Sequence, residues 1–262
     1  MALPCRAASF CDGRTRHISR SPLPSGNISR YPARNHLPGA SMTFSRLAAI
    51  ATDRLLCWLV SFITGIRPAR DSALAAAAQP TVYYANHASH GDFMLVWVSL
   101  PARQRMLTRP VAGGDYWLKT PLRRFIGERV FDALMITRNS GQPEEAVAQL
   151  SAVLRDGKSL IVFPEGTRNT DENTRLQPFK SGIYHVAQAN PDVRFVPVWI
   201  HNINRVLPKG KWLPVPLLCS VSIGEPVMPE ANEDKADFLD RLRHALLALA
   251  PAAPATETEQ RA

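Results

Sequence analysis

The stretch TVYYANHASHGD (residues 81–92) combines the two features that decide how this chain folds. Its first half, residues 81–85, is mostly apolar and rich in β-branched and aromatic side chains, which is typical of a buried strand. Its second half places His87 and Asp92 after that strand, and Gly91 permits a turn before Asp92 begins a helix. Polar groups at the carboxyl end of a strand are typical of the binding crevice of an open α/β sheet.

The rest of the chain alternates between strand-like and helix-like segments. Apolar residues at helical spacing, a proline at a first helical position and a glycine at a stop predict the helices. The sequence predicts strands at 81–85, 159–163, 195–200 and 218–223, and helices at 92–100, 143–156, 182–189 and 233–250. This alternation predicts a single α/β domain with a central, mostly parallel or mixed sheet flanked by helices.

The α/β domain is placed at residues 71–250, and the two ends of the chain have a different composition. Residues 1–41 contribute +5 of the formal net charge of +9 and show no periodicity. They are predicted to be disordered, either as a targeting or linker extension or as the product of a start site assigned too far upstream. Residues 251–262 are predicted to be a disordered tail.

Residues 42–70 contain an uncharged run of 12 residues, Leu55–Ile66. This run is shorter than the roughly 20 apolar residues that a membrane-spanning helix needs. The pattern therefore predicts a membrane-associated amphipathic helix that lies in the interface, with Trp58 and Phe62 as anchors. The alternative is an amphipathic helix that packs on the protein's own core.

The charge and the cysteine content indicate which binding partners and which kinds of site are expected. Beyond residue 41 the net charge is only +4, which suits an anionic substrate or a membrane surface and gives no indication of nucleic acid binding. The cysteines form no CxxC pair and have no metal-ligand spacing. We therefore predict no metal site and a reducing, cytosol-facing location.

His87 and Asp92 are the candidate catalytic pair. Residues five positions apart do not share a face of a regular helix, so these two side chains meet only if the chain turns between them. Asp92 can then hold one imidazole nitrogen while the other accepts a proton. The chain has no GxSxG nucleophile motif, so the base is expected to activate a hydroxyl of the substrate. Taken alone, the pair also fits a structural turn with a capping carboxylate.

A second polar cluster, FPEGTR (residues 163–168), follows another strand-like run. Gly166 permits a tight turn, and the planar guanidinium of Arg168 suits a phosphate group. Glu165 can order that arginine or bind a substrate hydroxyl. Arg138 also ends an apolar run, so two arginines at adjacent strand ends can clamp one phosphate.

These blocks resemble the glycerolipid acyltransferase family, which includes the 1-acylglycerol-3-phosphate acyltransferases. The first cluster, NHASHGD (residues 86–92), is similar to the family's NHxSxxD motif, and residues 163–168 match its FPEGTR motif in full. Residues 127–138 and the sequence VPV (residues 196–198) are similar to two further blocks. The resemblance covers about residues 80–225, and the first and third blocks together are highly specific.

The resemblance implies a role for each matching residue. His87 would be the general base, and Asp92 would orient it. Pro197 would help to shape the acyl site, although the run around it also fits a buried strand. The implied substrate-binding residues are Arg138, Glu165, Gly166, Thr167, Arg168 and Pro197.

The family transfers a fatty acyl group from a thioester donor, acyl-CoA or acyl carrier protein, to a free hydroxyl, and it needs no metal or other cofactor. The resemblance therefore implies an enzyme on the cytoplasmic face of a membrane, peripheral or monotopic, as on a bacterial inner membrane. Its first candidate acceptor is 1-acylglycerol-3-phosphate, which would give phosphatidic acid. The alternatives are another lysolipid acceptor, including an amino-acid-based lipid, a lipid hydrolase, and a non-catalytic lipid-binding protein.

Two departures from the family pattern leave the acceptor headgroup open. Thr137 stands where members often carry an aspartate before the arginine of the second block. Gly113 and Gly114 lie in a segment, residues 111–115, where many members carry a lysine and which helps to contact the acceptor.

Overall fold

A computed structural model of the protein describes residues 44–69, 79–89, 91–137, 143–171, 174–201 and 219–251. Three of the predicted features lie outside these ranges. They are the extension at residues 1–41, nearly all of the tail at residues 251–262, and the substrate-binding residue Arg138.

Within the described ranges, the centre of the fold is a mixed sheet of six strands with the spatial order β3-β2-β4-β1-β5-β6. All neighbouring strands run parallel except β5 and β6, which are antiparallel. In the register of the sheet, Val82 of the first strand lies opposite Leu160 on one side and Phe195 on the other. The strands are β1 (Thr81–Ala85), β2 (Thr108–Gly113), β3 (Leu134–Ile136), β4 (Ser159–Val162), β5 (Arg194–His201) and β6 (Ser220–Ile223).

Helices cover the sheet, and their first residues carry the expected signals. α5 has Pro121 at its start, and the Thr120 side chain accepts a hydrogen bond from the Arg123 amide. Asp234 caps the last helix by accepting from the Ala236 amide. The helices are α1 (Phe44–Thr64), α2 (Asp92–Ser99), α3 (Ala102–Met106), α4 (Gly114–Trp117), α5 (Pro121–Phe125), which continues into a π-helical turn (Ile126–Val130), α6 (Pro143–Arg155), α7 (Gly182–Ala189) and α8 (Lys235–Ala248).

Both faces of β1 are buried, which explains its continuous apolar sequence. Side chains alternate between the two faces of a strand. Tyr83 and Ala85 belong to one buried cluster, which includes residues of α2. Val82 and Tyr84 belong to another, which includes residues of α6, α7 and α8. The α/β domain with a mixed, mostly parallel sheet is thus confirmed.

The sequence did not predict β2, although this strand lies between β3 and β4. Its sequence, TRPVAG, includes Pro110, and a proline argues against a central strand because it cannot donate to the ladder. The chain accommodates it with Pro110 in register with Ile161 of β4. In β2, pairing with the neighbouring strands therefore outweighs the unfavourable effect of the proline.

One side of α1 packs on the domain, as the second alternative for residues 42–70 expected. Leu56, Cys57 and Val60 pack against the buried cluster under α2. The Asp53 carboxylate accepts a hydrogen bond of 2.8 Å from the indole N–H of Trp97. This side of the helix is held by both apolar and polar contacts.

The opposite side of α1 presents large apolar side chains to solvent, as the first alternative expected. Leu55, Trp58 and Phe62 are 61%, 62% and 76% exposed. The helix has 21 residues, more than the uncharged run at its centre, and by length and composition it is a candidate membrane helix. α1 therefore docks on the domain with one side and leaves an apolar side uncovered.

Candidate active site

A cavity of about 520 Å³ opens where the parallel strands end. The carboxyl ends of β1, β2, β3 and β4 lie at the same edge of the sheet. The cavity wall includes residues of β2 and β3 and residues that follow β1 and β4. This position is the one expected for a binding crevice in an open α/β sheet. The lining residues are His87, Phe93, Pro110, Val111, Ala112, Gly113, Asp115, Tyr116, Trp117, Gly127, Phe131, Ala133, Ile136, Phe163, Gly166, Thr167 and Arg168.

The turn at Gly91 brings His87 and Asp92 together as the sequence predicted. Nδ1 of His87 lies 2.8 Å from Oδ2 of Asp92, whose side chain is fully buried. The same oxygen accepts hydrogen bonds from the amides of Ala88 (2.6 Å) and Ser89 (2.9 Å). An ionised carboxylate only accepts, so Nδ1 carries the proton and Nε2 is left as the basic nitrogen.

The segment after β4 holds the imidazole from a second direction. The rings of Phe163 and His87 stack with their centroids 4.4 Å apart and their planes inclined by 26°. The Asn169 amide donates a hydrogen bond of 2.6 Å to the His87 carbonyl. His87 is thus fixed at its ring and at its backbone, with 16% of its side chain exposed. Such fixation suits a base that acts in one orientation.

Glu165 lies behind the cavity and joins two loops. Its Oε1 accepts a hydrogen bond of 2.7 Å from the His87 amide, and its Oε2 accepts one of 2.8 Å from the Gln177 amide. Only 1% of the residue is exposed, and this burial raises the pKa of its carboxyl, while the two amide donors act in the opposite direction. The Glu165 carboxylate contacts backbone amides and is not part of the described cavity wall, and its role in substrate binding stays a prediction.

The three residues after Glu165 line the cavity, and their role in binding the acceptor stays a prediction. Gly166 has φ of 72°, a conformation that favours glycine, and a Cβ there would lie 3.1 Å from Cγ of Lys180. The Thr167 hydroxyl donates to the side-chain carbonyl of Gln177 at 3.2 Å. Arg168 is exposed and forms no ion pair with any residue in the described ranges, so its guanidinium is available to a ligand.

Pro197 is not part of the cavity wall. It is buried in β5, in register with Tyr84 of β1. Its ring approaches Gly224, where a Cβ would lie 2.9 Å from Cγ of Pro197. The predicted site residues that share the cavity wall are therefore His87, Gly166, Thr167 and Arg168, with Asp92 and Glu165 supporting them.

Sequence reasoning missed the apolar part of the cavity. Phe93 contacts the rings of Trp117 and Phe131 edge to face, with centroids 5.5 and 5.2 Å apart. Gly127, in the π-helical turn, leaves room at this place, because a Cβ there would lie 2.5 Å from Cε of Met135. The only sequence signal was that the second family block begins at Gly127. This part of the wall suits a hydrocarbon chain.

Neither of the two described cysteines, Cys57 and Cys219, lines the cavity. Burial raises the pKa of the Cys219 thiol, which makes it a poor nucleophile near neutral pH. Among the residues with described placement, no group of three or more His, Cys, Asp or Glu side chains is arranged to hold a metal ion.

We expect the Glu165 carboxyl to lower the stability of the fold as the pH rises. In the unfolded chain a glutamate has a pKa of about 4.3, and burial places the folded-state pKa higher. Between these two pKa values the folded protein holds a proton that the unfolded chain has lost. The contribution of Glu165 to the free energy of unfolding is therefore largest below the unfolded-state pKa, and it declines as the pH rises to the folded-state pKa.

The measurement is the melting temperature of the wild type and of Glu165→Gln from about pH 4 to pH 8. The wild-type value relative to the variant should fall with rising pH, because glutamine does not ionise. Glu144→Gln, at an exposed position of α6, is the control and should show no such trend. A wild-type-to-variant difference that stays constant with pH would contradict the assignment.

Curated relatives of known activity are similar to this chain. The 1-acyl-sn-glycerol-3-phosphate acyltransferase of Cocos nucifera is 29% identical over 57% of this chain and 45% of its own length. The lyso-ornithine lipid O-acyltransferase of Pseudomonas aeruginosa is 29% identical over 54% of this chain and 50% of its own length. This chain thus spans about half the length of these relatives.

A solved structure shares the fold. The crystal structure of the 1-acyl-sn-glycerophosphate (LPA) acyltransferase from Thermotoga maritima matches with a TM-score of 0.59 at 20% identity, covering 80% of this chain and 83% of that one. The sequence profile of the acyltransferase family matches residues 63–201, which is more than half of the chain and includes both polar clusters. The chain belongs to the acyltransferase family.

Proposed function

We propose that this protein transfers a fatty acyl group from a thioester, acyl-CoA or acyl carrier protein, to the free hydroxyl of a lysolipid. The observation that carries the proposal is the His87–Asp92 pair, 2.8 Å apart, at a cavity that also contains Arg168 and an apolar wall. The names of the relatives add support, since one acts on 1-acyl-sn-glycerol-3-phosphate and another on a lyso-ornithine lipid. The first candidate acceptor is 1-acylglycerol-3-phosphate, with phosphatidic acid as the product.

The proposed reaction needs one base and no covalent enzyme intermediate. Nε2 of His87 takes the proton of the acceptor hydroxyl while that oxygen attacks the thioester carbonyl. The C–S bond then breaks, and the leaving thiolate takes the proton from the imidazolium. Asp92 holds the ring through Nδ1 and stabilises its positive charge during the reaction.

The rest of the cavity is proposed to position the two substrates. The guanidinium of Arg168 supplies hydrogen-bond donors for an anionic group of the acceptor, and Thr167 lines the cavity beside it. The edge-to-face aromatic group around Phe93 is proposed to receive hydrocarbon. Arg138 remains a prediction as a second phosphate ligand, and Pro197 as a residue that shapes the acyl site.

Lipid mass spectrometry of the purified full chain in detergent tests this proposal. The protein is incubated with acyl-CoA or acyl carrier protein and a panel of lysolipids, beside the His87→Ala variant. A diacylated product that disappears in the variant supports acyl transfer to the lipid. Free fatty acid as the sole product would indicate a hydrolase, and lipid binding without turnover with either donor would indicate a binding protein.

The exposed side of α1 is proposed to attach the enzyme peripherally or monotopically to the cytoplasmic face of a membrane. Trp58 and Phe62 stack with ring centroids 5.5 Å apart, and both are more than half exposed. Aromatic side chains on one side of an apolar helix are typical of interfacial anchors. Arg46 and Arg54, both exposed on the same helix, suit the headgroup region.

The double variant Trp58→Ser/Phe62→Ser is expected to lose at least about tenfold in affinity for lipid vesicles, since each aromatic side chain contributes roughly 1.5–3 kcal/mol when buried. Co-sedimentation of the full chain with phosphatidylglycerol–phosphatidylethanolamine vesicles measures this affinity. Met228→Ser, at an apolar position that is 41% exposed outside α1, is the matched control. Equal vesicle binding by the double variant and the control would contradict attachment through α1.

A further inference from the structure

We infer that the acceptor has a zwitterionic headgroup, with an ammonium group that pairs with Asp115 and an anionic group that pairs with Arg168. This inference rests on the proposed function, because it names the class of lysolipid that the same cavity accepts. It differs from the first candidate acceptor, whose phosphate monoester carries negative charge alone.

The charged residues of the described cavity wall have opposite signs. Apart from the base His87, they are Asp115 and Arg168. Neither forms an ion pair with the other or with any other residue whose placement is described. One unpaired anion and one unpaired cation therefore share a single cavity and are not joined across it.

Asp115 reaches the cavity because of how β2 ends. The strand finishes at Gly113, and α4 begins at Gly114, so Asp115 lies in the first turn beyond the sheet edge. Val111, Ala112 and Gly113 contribute to the same wall and are all uncharged. The β2–α4 segment thus provides the cavity with a carboxylate and no cation.

A cation beside Tyr116 of the cavity wall is partnered by that ring. The guanidinium of Arg123 lies 4.4 Å from the centroid of the Tyr116 ring, in a cation–π arrangement. Arg123 is not part of the cavity wall, whereas Tyr116 is. Within the described cavity wall, the charged residue next to Tyr116 is therefore Asp115.

A zwitterion satisfies both unpaired charges, while a purely anionic headgroup satisfies one and meets repulsion from the other. Like charges placed together in a binding site reduce affinity and exclude the wrong ligand, and opposite charges select the right one. His87 lines the same cavity, so a headgroup bound to both charged residues stays in the cavity that contains the base. The arrangement therefore selects lysolipids that carry an ammonium group.

The test compares acceptors of equal acyl length with the full chain and one thioester donor. Lysophosphatidic acid carries only negative charge. Lysophosphatidylethanolamine carries ammonium and phosphate, and a hydroxyacylated amino acid with a free side-chain amine carries ammonium and carboxylate. The N-acetylated form of each amine, in which the ammonium is replaced by a neutral amide, is its control. The measured quantity is kcat/KM for each acceptor.

We expect an unmasked amine to be preferred over its N-acetylated form by about tenfold, the contribution of one charge-assisted hydrogen bond. Asp115→Asn should abolish this ratio, and Asp115→Lys should shift the preference toward lysophosphatidic acid. Asp192→Asn, an exposed position outside the cavity wall, is the control and should retain the ratio. The two zwitterions distinguish a phosphate from a carboxylate as the partner of Arg168.

A wild-type enzyme that uses the N-acetylated acceptors as well as the amines would overturn the inference while leaving acyl transfer intact. Retention of the amine preference by Asp115→Asn, with a melting temperature equal to that of the wild type, would overturn it as well. No acylation of any acceptor would overturn the proposed function itself, and the headgroup assignment with it.

Discussion

Replacing His87 with alanine is expected to lower kcat by about 10²- to 10⁴-fold, the range that a positioned general base contributes. The imidazole is the proposed proton acceptor at the cavity wall, and its Nδ1 is already bound to Asp92. With alanine, the acceptor hydroxyl must lose its proton to water. KM should change little, because the side chain acts on the reacting hydroxyl and not on the headgroup or the acyl chain.

Steady-state kinetics with one acyl donor and one lysolipid measure this effect. His244→Ala, at an exposed position in α8, is the matched control and should keep the wild-type rate. A melting temperature for His87→Ala close to that of the wild type shows that the loss is chemical, since the side chain lies at the cavity wall. Activity within a few-fold of the wild type would rule out His87 as the base.

The second large effect is expected for Asp92→Asn, which should also lower kcat by about 10²- to 10⁴-fold. Oδ2 of Asp92 accepts three hydrogen bonds, from His87 and from the amides of Ala88 and Ser89. An asparagine oxygen can replace it as an acceptor, but the negative charge that stabilises the imidazolium is lost. Oδ1 is buried without a hydrogen-bond partner among the described residues, so the amide nitrogen placed there would be unsatisfied.

A double variant separates a positioning role from an independent one. Because Asp92 acts through His87, His87→Ala/Asp92→Asn should be no slower than His87→Ala alone. Asp240→Asn, exposed on α8, is the control for loss of a carboxylate. Rate losses that multiply in the double variant would mean that Asp92 contributes to the reaction without the histidine.

Local signals were sufficient for much of the fold. β1 and α7 have their predicted bounds, because an apolar run in one case and helical spacing in the other define both ends. β2 was missed because Pro110 contradicts a central strand, and only pairing with β3 and β4 stabilises it. The short helices between α2 and β3 were also missed, since four or five residues carry too little periodicity.

Part of the candidate site was also predictable from local sequence, and part was not. His87 and Asp92 were predicted from a short segment, because a turn of four residues between them fixes their contact. The burial of Glu165 was not predictable, since it depends on Gln177, which follows a separate loop. The apolar wall comes from Phe93, Trp117 and Phe131, which lie in different elements and look like ordinary core residues in the sequence.

The contact between Glu165 and the His87 amide has a consequence for how the enzyme matures during synthesis. The two residues are 78 positions apart, so the ribosome produces the base long before the carboxylate that holds its loop. The two residues follow β1 and β4, which pair in the sheet, and contacts between distant parts of a chain are slow to form in folding. A nascent chain released before β4 therefore carries the base without the support that orients it.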